Sequence, residues 1–165
     1  MVTAVIAGAA VMWGCARPRD LRQPVPGALE VTVPDSARDV LEAATLAITD
    51  EAMRVVLHDE RRTYVESDFI DISLLKVRED WLGYSKDDRL VKFQFRALPT
   101  FGGTRVVAEA VYRPTGVEGG RMMDRMVPPS HPGQEVLRRM LDRVDEHLRE
   151  TRAERERARR AKTPP

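Results

Sequence analysis

The residues of this 165-residue chain with the chemistry for catalysis or metal binding are three histidines, one cysteine and several adjacent acidic pairs. His58 alternates onto the face opposite Met53, Val55 and Leu57, which reads as a solvated strand position. His131, between Ser130 and Pro132, belongs to the start of a helix, and His147 falls near that helix's end, where a cationic imidazole suits the dipole. His58-Asp59-Glu60 lacks the i, i+4 histidine pair of a zinc-protease helix. The pairs Asp59-Glu60, Glu79-Asp80 and Asp87-Asp88 could supply acid–base carboxylates, but neighbours on a strand or turn point different ways and do not converge on one substrate atom. Gly102-Gly103 lies between two strands and lacks the strand-to-helix setting of a phosphate loop. No serine has a nucleophile-elbow neighbourhood. The chain therefore reads as non-enzymatic, with no catalytic residues, no metal site and no cofactor expected.

Cys15 stands apart. It is the sole cysteine, so neither an intramolecular disulfide nor a cysteine metal cluster can form. Val2 to Gly14 carries no charged side chain and is rich in Val, Ala, Ile, Gly and Met. Such a run is well short of the ~20 residues that cross a bilayer, and it fits the apolar core of a signal peptide. The sequence Met12-Trp13-Gly14-Cys15 resembles the lipobox of bacterial lipoproteins, in which a small residue precedes a cysteine that is diacylated and becomes the new N-terminus. Trp13, where small residues are usual, and the lack of Lys or Arg before the run depart from that pattern. The resemblance implies residues 1–14 as signal peptide, lipid attachment at Cys15 and a location in the cell envelope, at the periplasmic face of the outer membrane. Ala16 to Gly27 is proline-rich and polar, which suits an extended tether and completes a lipidated segment at 15–27.

Two further features could carry binding. Trp81, Tyr84 and Phe101 fall in or beside connections instead of on alternating core faces; loop-tip aromatics are frequent anchors for a partner, and the alternative is a small aromatic cluster that closes one end of the sheet. Their convergence requires the segment from Trp81 to Asp88 to fold back along the sheet, because the connection before a strand and the turn after it lie at opposite ends. The other feature is the charged tail, residues 149–165, with seven basic and three acidic side chains between Arg149 and Lys162. It has no apolar stripe after Leu148, so a solvated charged helix is expected there.

The elements that must position these residues lie between 28 and 148, the expected α/β domain. Net charge is +1, which gives no global field to recruit nucleic acid, and none is expected as a partner. Leu29 to Val33 alternates like a strand that Pro34 stops. Ser36 with Asp39 resembles a capping box, and Ala37, Val40, Leu41, Ala44, Ala47 and Ile48 predict a helix over 36–49. From Val65 to Leu74 the apolar parity shifts by one residue, which predicts a bulge or bend near Phe69-Ile70. Val91, Phe93 and Phe95 alternate with Lys92, Gln94 and Arg96, and Val106 to Tyr112 returns after the turn at Pro99–Gly103, making a hairpin. On this pattern Phe93 is core and Arg96 is solvated. Leu137, Met140, Leu141, Val144 and Leu148 form the stripe of a last helix that Pro132 opens.

The expected fold is α+β: an antiparallel sheet of four to five strands covered by two helices, a two-layer sandwich. This element order, together with Gly14-Cys15, is similar to the α/β domains of outer-membrane assembly lipoproteins, such as the barrel-assembly and lipopolysaccharide-assembly accessory families. The resemblance implies a docking or accessory module of a membrane-assembly or transport machine, tied to the membrane by its lipid and meeting a protein partner in the envelope. A carrier enclosing a small ligand or lipid in an apolar cleft is the alternative.

Overall fold

In the computed structural model, residues 27–61, 63–75, 89–112 and 125–162 are described. Strand β1 (Leu29–Val33) ends at Pro34, which cannot donate to a ladder. Ser36 then caps helix α1 (Ala37–Asp50): its Oγ accepts the Asp39 N–H at 3.2 Å and its hydroxyl donates to the Asp39 carboxylate at 2.8 Å. The expected capping signal thus works, shifted by one residue from the predicted span. After α1, Ala52 takes the left-handed conformation (φ 57°), and the Met53 N–H returns to the Ile48 carbonyl at 3.2 Å, which ends the helix.

The chain then runs through β2 (Val55–Asp59), β3 (Tyr64–Ser67), β4 (Ile70–Asp71), a 3₁₀ turn (Ile72–Leu75), β5 (Leu90–Thr100), β6 (Gly103–Tyr112), β7 (Arg125–Met126) and α2 (Pro132–Lys162). All pairings are antiparallel, in the order β1-β6-β5-β3-β2, with β4 also on β5 and β7 also on β6. The architecture is an antiparallel sheet with two helices, the α+β two-layer arrangement expected. Its seven strands exceed the expected four to five because two positions in the sheet are each filled by two short pieces. The parity slip explains one of them. Val65 pairs with Phe95 but Ile70 pairs with Val91, so one extra residue is accommodated at Asp68-Phe69, close to the predicted bulge.

The two helices share one face of the sheet. Phe93, Phe95, Val65, Ala108 and Ala110 from the strands meet Leu41, Ala44 and Ile48 of α1 and Leu137, Met140 and Val144 of α2. Phe93, Phe95, Leu41, Ile48, Leu137 and Met140 are at most 1% exposed, so the layer between sheet and helices is filled. The helices run antiparallel, as their cross-links show. Arg139 reaches Glu51 at 2.7 Å and His147 Nε2 lies 2.9 Å from Asp50, both at the end of α1, while Arg155 reaches Asp39 near its start.

A second bulge corrects the reading of β2. Val55 pairs with Ser67, but Leu57 pairs with Glu66 and His58 with Val65, so the register slips at Val56. Leu57 therefore lies on the face away from the helices, and His58 is turned toward α1, where Nδ1 is 3.2 Å from the Thr45 hydroxyl. His58 is still exposed, because β2 is an edge strand.

Candidate functional site

The most deeply buried gathering of ionisable side chains among the described residues lies on the sheet face opposite the helices, and strand alternation builds it. On β5 the residues between Val91, Phe93, Phe95 and Ala97 are Lys92, Gln94 and Arg96. Gln94 pairs with Glu109 of β6 and with Glu66 of β3, and Arg96 pairs with Val107 of β6 and Tyr64 of β3. These side chains consequently stand in one patch. Arg96 Nη1 meets Glu109 Oε2 at 2.7 Å, with side chains 3% and 0% exposed. Lys92 Nζ lies 3.1 Å from Glu66 Oε2, to which the Gln94 amide also donates at 3.3 Å and the Tyr64 hydroxyl donates as well. The Arg96 guanidinium sits over the Tyr64 ring at 5.5 Å and the Lys92 ammonium over the Phe69 ring at 5.3 Å.

Burial and the Glu66 carboxylate push the Tyr64 phenol well above its ordinary range, so it stays a proton donor. Two carboxylates face two cations, which makes the patch neutral in sum. Each charge removed from water is met by an opposite one; the Gln94–Glu66 hydrogen bond and the Lys92–Glu66 ion pair tie β5 to β3, and the Arg96–Glu109 ion pair ties β5 to β6. The arrangement offers acceptors already engaged and a phenol held protonated, which suits register and rigidity more than proton transfer. Among the described residues no group of three or more His, Cys, Asp or Glu could hold a metal ion.

This patch overturns the expectation that Arg96 is solvated. Sequence alternation assigned β5 one wet face, but both its faces are buried. A signal was present in β6: Val106 to Tyr112 is nearly continuous in apolar residues, with Glu109 alone among them, and such runs belong to strands buried on both faces.

The histidines fall elsewhere. His131 is buried, and its Nδ1 accepts the Gly133 N–H at 3.0 Å, so it caps α2 while Pro132 takes the first helical position. His147 is not near the end of α2, since the helix continues to Lys162. Its expected partner, the helix dipole, is replaced by Asp50 of α1 and by Glu150 at 3.6 Å. The charged tail is helical through Lys162, and two of its arginines return to the start of α1. Arg152 lies 3.5 Å from Asp35, and Arg155 makes two hydrogen bonds to Asp39, one of 2.8 Å. Those bonds hold the Asp39 carboxyl at about 2, below its ordinary 3.8.

Of the residues singled out for binding, Phe101 is described. It occupies the two-residue turn between β5 and β6 beside Gly102, whose φ of 94° is the left-handed conformation glycine adopts without cost, and its side chain is fully exposed. Gly103 serves a different need: a Cβ there would lie 2.1 Å from the Val33 carbonyl oxygen, so glycine lets β1 end close against the turn. Cys15, Trp81 and Tyr84, and the acidic pairs Glu79-Asp80 and Asp87-Asp88, lie outside the described residues. No described helix is long and apolar enough to cross a membrane. No family model matches the chain, and no curated protein matches it.

Proposed function

We propose that this chain is a non-enzymatic lipoprotein of the bacterial cell envelope, anchored through Cys15, that docks its folded domain on a membrane-assembly or transport machine. The observation that carries the docking reading is Phe101. A large apolar ring fully in water, on a short turn between two long and mostly buried strands, costs hydration free energy in the free protein and is relieved when a partner covers it. Trp81 and Tyr84 complete the proposed partner surface. The filled layer between sheet and helices supports docking over the alternative of a lipid or small-ligand carrier, which needs an apolar cleft there. The anchoring reading rests on the uncharged run up to Gly14 and on Gly14-Cys15.

Two measurements test the halves separately. Cells fed an alkyne fatty acid should label the wild-type chain and spare Cys15→Ser; equal labelling of both removes the lipid anchor. A photo-crosslinking residue at position 101 should give a discrete adduct in intact cells, and the same residue at exposed Leu46 on α1 should not. Equal patterns from both positions remove the docking role of the hairpin tip.

A further inference from the structure

The sheet has two outer edges, and they are built differently. At β2 the register slip at Val56 kinks the strand, a device that spoils an edge for pairing. At β1 no such device is present. Leu29 to Val33 pair with Ala108 to Thr104 of β6 without a slip, and among the described residues no strand lies on the outward side of β1. An edge strand points alternate backbone N–H and C=O groups outward, ready for another strand. Val31, at its centre, is 44% exposed.

The sequence of β1 is complementary to itself in antiparallel pairing. With a two-fold axis at Val31, Leu29 stands opposite Val33 of the other strand, Val31 opposite Val31, and Glu30 opposite Thr32. Apolar side chains meet apolar ones on the helix-bearing face, and no like charges stand directly opposite on the other. Charge complementarity extends one strand further in. Arg105 of β6 pairs with Thr32 across the ladder and already reaches Glu30 at 3.5 Å. The two-fold would place the second copy's Glu30 on the far side of Thr32, in line with Arg105 at two strand spacings of about 4.8 Å each. Each Glu30 then lies between two arginines, and each Arg105 faces two glutamates from its β1 side. The strand is bounded on both sides, by Pro34 at one end and at the other by Gly27, whose φ of 91° is not a strand conformation.

We propose that the outward edge of β1 pairs with β1 of a second copy of this chain, joining two sheets into one across a two-fold axis at Val31. Five residues per strand make a small interface, so the dimer is a reversible one that forms with rising concentration.

Sedimentation of the full chain over a concentration series tests this. The wild type should show a monomer–dimer equilibrium. Val31→Asp places two carboxylates face to face on the axis and should weaken the dimer at least about tenfold, a change of ~1.4 kcal/mol. An equal mixture of Val31→Asp and Val31→Lys should restore association, which a folding defect would not allow. In a chain carrying Cys15→Ser, Val31→Cys should oxidise to a linked dimer faster than Val56→Cys on the opposite edge. A wild type that stays monomeric throughout, self-association unaltered by Val31→Asp, or linkage at position 56 as fast as at 31 would each overturn the proposal.

Discussion

Phe93→Ala and Arg96→Ala should be similarly costly, although one removes an apolar ring and the other a charge. Phe93 is fully buried against the helices, and deleting such a ring costs about 3–5 kcal/mol. Arg96 is nearly as buried, and its loss leaves Glu109 without its 2.7 Å cation in a dry site, which also costs about 3–5 kcal/mol. Replacing the pair together by Arg96→Met and Glu109→Leu should cost less than Arg96→Ala alone, because no unpaired charge remains. Urea unfolding of the four chains distinguishes this from a solvated Arg96, for which the change would be within about 0.5 kcal/mol. Asp39 gives a second residue-scale prediction. Its carboxyl is held at about 2 by hydrogen bonds from Arg155, against 3.8 ordinarily. A folded-state value below the unfolded one adds stability that is complete above the unfolded value and disappears as pH falls through the folded one. The melting-temperature advantage of wild type over Asp39→Asn should accordingly shrink as pH drops from 3.8 toward 2, and Arg155→Gln should remove the same pH dependence.

At the scale of elements, α2 divides into two functional halves without a break in the helix. Up to Leu148 it presents Val136, Leu137, Met140, Val144 and Leu148 to the core. Beyond Leu148 it forms ion pairs, from Arg152 to Asp35 just before α1 and from Arg155 to Asp39 in its first turn. The two arginines are about half-exposed, and the carboxylates they cover become solvated once the tail is gone, so a chain spanning residues 28–148 should unfold cooperatively with a loss on the order of 1–2 kcal/mol and a fall in Tm of about 4–8 °C. Calorimetry checks this, and loss of the transition would mean that the second half of α2 is integral to the fold. The strand elements teach a related lesson. The β3–β4 slip was legible because Val65 and Ile70 are both strongly apolar and differ in parity. The β2 slip was not, because Val55, Val56 and Leu57 are apolar in succession and fit either register. One misplaced residue there moved His58 from the solvent face to the side of α1.

At the scale of the molecule, the proposed partner surface asks whether Trp81 and Tyr84 act together with Phe101. Photo-crosslinking residues placed at 81 and at 101 in intact cells should capture the same partner if they form one surface. Capture from 101 alone would confine docking to the hairpin tip. Self-pairing at β1 uses the outward side of that strand, while the buried charge network stands on β3, β5 and β6, so self-pairing would leave the network in place.

The periodicity of the sequence determined the order of the elements, the two helices and the face of the sheet they cover. Those features follow from local rules: a capping Ser36, a strand-ending Pro34, a helical stripe in α2 and a clean alternation in β5. Phe101 could be placed at an exposed turn for the same reason, since a glycine pair between alternating runs is a local signal. What lies over a face is a long-range matter. Lys92, Gln94 and Arg96 read as a wet face because charge normally seeks water. Only the tertiary structure brought Glu66 and Glu109 from two other strands within 3.1 Å of Lys92 and 2.7 Å of Arg96, supplying the opposite charges that let those cations be buried.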